Sequence, residues 1–94
     1  MTVVALPPDA TVVHFVVPIT EPSEVVDVRV EASPGGELVT DQRRVRRTAG
    51  QDLDVWVSAR QIPAGDYELL LSVEGAPEPR LVGQYAFRVQ RAAQ

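Results

Sequence analysis

The chain has 94 residues, a net charge of −4 at neutral pH and no cysteine. A chain of this length buries roughly 60–65% of its unfolded surface, enough for a core without disulfides. The missing cysteine excludes disulfides, thiolate metal ligands and a cysteine nucleophile. The apolar fraction of 45% argues against disorder, and the acidic balance argues against nucleic-acid binding through bulk charge. We expect residues 1–94 to form a single domain with a frayed tail over 91–94.

Period-two alternation of apolar and polar residues predicts seven β-strands. In chain order they cover residues 3–6, 11–17, 25–32, 37–41, 52–58, 66–74 and 81–90. The third strand alternates most regularly, and the fourth is weak enough to lie at a sheet edge. In the last strand, Leu81, Tyr85, Phe87 and Val89 are predicted to point inward, and Gly83 to mark a bulge or close packing. Helix is limited to a turn over residues 58–62.

Strands at ten- to fifteen-residue intervals, separated by turns, are typical of a sandwich. The sequence therefore predicts an all-β fold, an immunoglobulin-like seven-stranded antiparallel β-sandwich. By analogy with that topology, strands one, two and five form one sheet. Strands three, six and seven form the other, with strand four at its edge.

Residues 62–69 predict a corner where the chain passes from one sheet to the other. Pro63 pre-sets φ, and Gly65 allows the positive φ that such a turn requires. Tyr67 follows, and we expect it to bury its ring and return its hydroxyl to nearby backbone.

The residue inventory predicts no enzyme, no metal site and no cofactor. His14 is the only imidazole, so a cluster of histidine ligands is excluded. A Ser–His–Asp arrangement would need an activated serine beside His14, and no serine lies on a strained turn. Asp52 and Asp54 share a strand face, where two carboxylates could do acid–base work or bind Ca²⁺. Solubilising charges on an exposed face are the simpler interpretation.

Arginines are concentrated at Arg43, Arg44, Arg46 and Arg47, which form a candidate basic patch. On an edge strand or loop, such charges discourage edge-to-edge pairing. A binding patch is the alternative. Since no aromatic residues are interleaved and the chain is acidic, an acidic protein partner is favoured over nucleic acid.

Trp56 is the only tryptophan, and strict alternation turns it outward between Asp54 and Ser58. The outward residues of the second strand are Val12, His14 and Val16. If strands two and five are neighbours, Trp56 lies beside His14 or Val16. An exposed aromatic flanked by valines is a candidate docking surface. The alternatives are packing against the core edge or a neighbouring domain, and a small-ligand platform.

Three segments, at residues 6–13, 62–69 and 82–89, carry a family resemblance. Their order resembles the C-terminal extracytoplasmic β-sandwich domain of bacterial zinc-finger-type putative anti-sigma factors. The resemblance implies a cytoplasmic sigma-binding module with zinc ligands, one membrane helix, and then this domain outside the membrane. No sigma-binding or zinc residue can be carried over to this sequence. The chain has no apolar run of about 18 residues and no signal-peptide pattern, so any anchor is expected upstream of Met1.

The Pro-Ala-Gly-x-Tyr corner and the aromatic last strand also resemble periplasmic copper carriers of the copper-resistance type. Their Cu(II) site needs two histidines, one of them before the last strand. Residues 74–79 contain none, and a single His14 cannot supply the imidazole ligands that Cu(II) selects. The fold can be similar, but copper binding is not expected.

These observations predict a non-enzymatic sensory or interaction module, the extracytoplasmic part of a membrane-anchored anti-sigma-factor-like regulator. Its expected location is the periplasm or cell surface, and its expected partner is a protein. The alternative is an accessory sandwich domain of a secreted protein, binding carbohydrate or protein through Trp56.

Overall fold

The computed structural model describes residues 2–20, 22–48, 50–75 and 78–91, and every structural statement below concerns these residues. Within them the chain forms seven strands and one short 3-10 turn. The strands are β1 (Thr2–Leu6), β2 (Val12–Val17), β3 (Val25–Ala32), β4 (Leu38–Arg46), β5 (Leu53–Ser58), β6 (Gly65–Val73) and β7 (Arg80–Arg91). The 3-10 turn, Ala59–Gln61, lies inside the segment where the sequence predicts a helical turn. The protein is all-β, as predicted.

The strands form two sheets. The larger has five strands in the order β1-β7-β6-β3-β4, and the smaller contains β2 and β5. The two sheets share one hydrophobic core in an open, sandwich-like arrangement. The smaller sheet leaves part of the larger sheet's inner face uncovered, and this difference in width positions the surfaces described below.

Alternation explains why the inner strands form. On β3, Val26, Val28 and Val30 are fully buried. On β5, Leu53, Val55 and Val57 face the same core, and the residues between them are exposed or half-buried. This period matches the pleat of a strand with one face buried and one face solvated. Burial of these valines and leucines supplies the hydrophobic stabilisation of the fold.

The placement of β1 corrects a prediction. The sequence assigns the first strand to the sheet of β2 and β5, but β1 joins the larger sheet. It pairs in parallel with β7, from Thr2 opposite Phe87 to Leu6 opposite Arg91. The sheet is therefore not purely antiparallel. The alternation of β1 is weak because Val3, Val4 and Ala5 are all apolar, and a pairing with the far end of the chain leaves no local signal.

The fourth strand is longer than predicted. It runs to Arg46, because the basic segment continues the ladder with β3 instead of forming a loop. The register with β3 shifts twice, between Val26 and Val28 and between Val30 and Glu31. Arg44 has a φ of 56°, and its N–H donates to the Asp27 carboxylate at 2.8 Å. Such irregularities interrupt period two, which is why the sequence pattern ends early.

One inward prediction on β7 needs correction. Tyr85 shares the inner face with Phe87 and its hydroxyl reaches the Pro18 carbonyl, although the residue is 39% exposed. Leu81, in contrast, is 54% exposed. The register with β6 passes from Leu71 opposite Gly83 to Ser72 opposite Leu81, so one extra β7 residue turns Leu81 outward. Gly83 does lie close to its neighbour, since a Cβ there would stand 3.2 Å from Leu71 Cδ1.

The predicted tail begins at Arg91. This residue ends β7, and its guanidinium donates to the carbonyl oxygen of Ala59. Residues 92–94 lie outside the described part of the chain.

The segment after the 3-10 turn carries the chain into β6. Gly65 has a φ of 156°, a conformation that L side chains rarely adopt. The Tyr67 ring is buried 5.5 Å from the Phe87 ring, and its hydroxyl donates to the Pro63 carbonyl at 2.5 Å. Burial raises the pKa of Tyr67.

We expect Tyr67→Phe to lower the free energy of unfolding by about 1–2 kcal/mol, because the Pro63 carbonyl loses its donor. Urea unfolding at neutral pH measures the change. The matched control is Tyr85→Phe, which removes the more exposed bond from Tyr85 to the Pro18 carbonyl. Water can replace that bond, so the control should cost less. Equal losses in both variants would contradict the importance of the Tyr67 contact.

Candidate functional site

The ladder between β2 and β5 sets the geometry of the candidate surface. His14 lies directly opposite Trp56, with Val12 opposite Ser58 and Val16 opposite Asp54. One residue beyond the ladder, the Ala59 N–H donates to the Thr11 carbonyl. Hydrogen-bonded and non-hydrogen-bonded pairs alternate along an antiparallel ladder, so His14–Trp56 is a non-hydrogen-bonded pair. In such pairs the side chains lie closest together.

The His14 and Trp56 rings are stacked on each other. Their centroids are 3.9 Å apart and their planes differ by 4°, a stacked arrangement. The Asp54 carboxylate holds His14 from the side, with Oδ1 2.8 Å from Nε2. The sequence leaves His14 and Val16 as alternative neighbours of Trp56, and the register selects His14. Asp54 is thus a hydrogen-bond partner as well as a solubilising charge.

The surroundings of the ring pair are apolar and exposed. Trp56 is 55% exposed, and the flanking Val12 and Val16 are 51% and 56% exposed. We call Val12, His14, Val16 and Trp56 the outer aromatic face.

The backbone of Trp56 is held from the other sheet. The Gln42 side-chain amide on β4 donates to the Trp56 carbonyl at 2.9 Å. The sequence analysis missed Gln42, because its side chain spans from one sheet to the other.

The four arginines of the candidate basic patch do not share one surface. Arg43 and Arg44 line a cleft of about 410 Å³ together with Arg80, Asp27 and Glu74. Asp41 pairs with Arg43 at 3.1 Å. Acidic groups therefore stand among the arginines, which weakens the cleft as a site for anions.

Arg46 and Arg47 line a different, polar depression of about 340 Å³, together with Asp52 and Asp54. Arg47 departs most from the sequence interpretation, since it is only 9% exposed. Its Nη1 donates to the Gln51 carbonyl at 2.7 Å and so braces the turn before β5. Its Nε and Nη2 are buried without a hydrogen-bond partner in the described structure. A sequence pattern of consecutive arginines gives no sign that one of them is buried.

We expect Arg47→Met to leave the free energy of unfolding unchanged or raise it by about 1 kcal/mol, because it removes a buried charge with unsatisfied N–H groups but keeps the packing of the stem. Arg47→Ala should instead lower stability by about 1–2 kcal/mol through lost packing. Urea unfolding of both variants tests this. A large loss in Arg47→Met would contradict this prediction and show that the bond to the Gln51 carbonyl outweighs the cost of burying the charge.

Asp66, a carboxylate with a lowered pKa, forms an ion pair with Arg88 away from the outer aromatic face. Hydrogen bonding from Arg88 lowers the pKa of Asp66, and the same contact raises the pKa of Arg88. The Arg88 Nε and Asp66 Oδ1 atoms are 2.7 Å apart across β6 and β7. Both groups face solvent, where such pairs add little to stability.

Other site classes lack structural support in the described residues. They contain no group of three or more His, Asp or Glu side chains placed to hold a metal ion. In the same ranges, no helix has the length and apolar character needed to cross a membrane.

A feature that the sequence analysis missed lies along the free edge of β2. It is an apolar groove of about 310 Å³ between β2 and the inner face of β1 and β7, which we call the edge groove. Val4, Phe15 and Phe87 line it, and the Phe15 and Phe87 rings lie 5.0 Å apart. The sequence gives no signal for the groove because the pairing of β1 with β7 creates it.

No protein-family model matches this chain, and no curated protein matches it at a significant score.

Proposed function

We propose that this chain is a non-enzymatic, immunoglobulin-like β-sandwich module that binds a protein partner through its outer aromatic face. The observation that carries the proposal is the Trp56 ring, more than half exposed and stacked on a His14 ring that Asp54 holds in place. The two-sheet architecture and the bond from Tyr67 to Pro63 support the immunoglobulin-like comparison.

The chemistry of this surface favours a protein partner. Binding hot spots are enriched in tryptophan. They are surrounded by contacts that add little binding energy themselves but exclude water. Val12 and Val16 supply such contacts on either side of the stacked rings. The rings are already ordered by their own contacts, so binding would cost little side-chain entropy. Small-molecule sites, in contrast, are concave and enclose most of the ligand.

The family resemblance suggests where such a module works. We propose that it is the extracytoplasmic part of a membrane-anchored anti-sigma-factor-like regulator, in the periplasm or at the cell surface. A partner bound to the outer aromatic face would change the position or association of the module. A membrane helix elsewhere in the protein would transmit that change. The resemblance in residues 6–13, 62–69 and 82–89 is the support for this assignment.

An accessory carbohydrate-binding domain of a secreted protein is the second candidate. The exposed indole of Trp56 favours it, because aromatic faces stack on apolar faces of ligands. His14 already covers one face of the indole, so at most one face is available to a sugar ring. This geometry makes the carbohydrate candidate weaker than the protein-binding one.

We expect Trp56→Ala to abolish capture of the partner while the fold stays intact. Proteins crosslinked to the module at the bacterial surface would be identified by mass spectrometry. Leu81→Ala is the matched control, because Leu81 is 54% exposed on the larger sheet, against 55% for Trp56. The control should retain the partner. A partner set unchanged in Trp56→Ala would contradict the proposal, and a shift of Trp56 fluorescence on adding oligosaccharides would favour the second candidate.

The regulator assignment has a separate test in the coding DNA upstream of the Met1 codon. It predicts an open frame that encodes an apolar run of about 20 residues, preceded by cysteine and histidine at zinc-ligand spacing. A genuine start at Met1 without an export signal would contradict the assignment. The protein-binding proposal would then apply to an intracellular module.

A further inference from the structure

The edge of β2 that faces away from β5 has unpaired main-chain groups. Among the described strands, β2 pairs with β5 alone. Because His14 and Val16 occupy non-hydrogen-bonded positions opposite β5, their N–H and C=O groups point to the other side. An edge of this kind is a template for another strand. Nothing in the described structure occupies this one.

The edge groove lies directly below these main-chain groups. Phe15 and Val17 form one wall, Thr2 and Val4 of β1 line the opposite side, and Phe87 of β7 lies between. Phe15 is only half-buried although it faces inward, because no strand covers it from the side. A strand added to β2 would place every second side chain into the groove, against Phe15 and Phe87.

The charges distinguish this side of the sandwich from the opposite side. At the opposite side, β4 and β5 carry Asp41, Arg43, Arg44, Arg46 and Asp54, the kind of charges that protect an edge from pairing. The sequences of β1 and β2 contain no Asp, Glu, Lys or Arg, and none of the described residues that line the groove is charged. An occupant complementary to this side is therefore uncharged at the positions that enter the groove.

We propose that an extended segment of a partner protein, with apolar side chains at alternate positions, adds to the free edge of β2 and fills the edge groove. Main-chain hydrogen bonds to His14 and Val16 would give affinity, and the groove would select the alternate side chains. The inner face of β1 and β7 forms the floor of the edge groove and extends past β2. A second sandwich that paired through its own β2 would therefore bring its β1 and β7 into the space of the first β1. This geometry favours a single strand over a second copy of this chain.

This site goes beyond the proposed function. The outer aromatic face uses the side chains of His14 and Trp56, which point away from the core, whereas strand addition uses the backbone of β2 and the inward side chain of Phe15. Val16 contributes to both surfaces. The two proposals can therefore fail separately.

The test uses a fluorescent eight-residue peptide, capped at both ends, in which valine alternates with serine or threonine. We expect it to bind in a fluorescence anisotropy titration and to slow hydrogen exchange of the His14 and Val16 amides. Val16→Pro should weaken binding by about ten-fold or more, because it removes an edge N–H donor and leaves the ladder with β5 intact. A peptide with aspartate in place of each valine should not bind.

Trp56→Ala is the matched control and should bind the peptide with unchanged affinity, even if it loses the partner of the outer aromatic face. If Val16→Pro does not fold, Thr2→Glu replaces it, because it places a charge at the groove without altering β2. The proposal is overturned if the valine peptide does not bind, if Val16→Pro and Thr2→Glu bind it normally, or if Trp56→Ala abolishes binding. It is also overturned if the unliganded chain is a dimer that Val16→Pro dissociates, because a second copy would then occupy the edge.

Discussion

The two sheets bury their inner faces against each other, but they differ in width, and the surfaces of the protein follow from that difference. Two strands cover part of a five-stranded sheet. At the side of β4, Gln42 reaches across to the Trp56 carbonyl and links the sheets. At the side of β1, the Tyr85 hydroxyl on β7 reaches the Pro18 carbonyl just past β2, but the edge groove remains beside this contact and Phe15 is half-buried. Core packing, the outer aromatic face and the edge groove are thus consequences of one architecture.

The hydrogen-bonding pattern of the β2–β5 ladder is the second constraint, and it has two effects. It places His14 and Trp56 in a non-hydrogen-bonded pair, where their rings can stack at 3.9 Å. The same pattern turns the main-chain groups of His14 and Val16 toward the open edge. A shift of register by one residue would exchange the faces of the whole strand and remove both surfaces together.

Arginines that are neighbours in the sequence differ in burial and in structural role. The cluster at Arg43, Arg44, Arg46 and Arg47 is one run in the sequence, but the strand carries its members to different places. Arg43 pairs with Asp41, while Arg47 is buried and supports the turn before β5 through Gln51. The run thus has a mainly structural part at its end and an edge-protecting part within β4.

The sequence alone determined the features that depend on local period and local turn chemistry. Alternation located seven strands, because one buried face imposes period two, and it predicted that Trp56 and His14 point outward together. Tertiary structure alone decided the parallel pairing of β1 with β7, the bulged extension of β4, the burial of Arg47 and the edge groove. Each depends on contacts between residues distant in the chain, and a bulge erases the period that would reveal it. The stacking of His14 on Trp56 depends on both sequence and tertiary structure. Alternation along the sequence placed the two side chains on the outer face, and only the pairing of β2 with β5 made His14 the neighbour of Trp56.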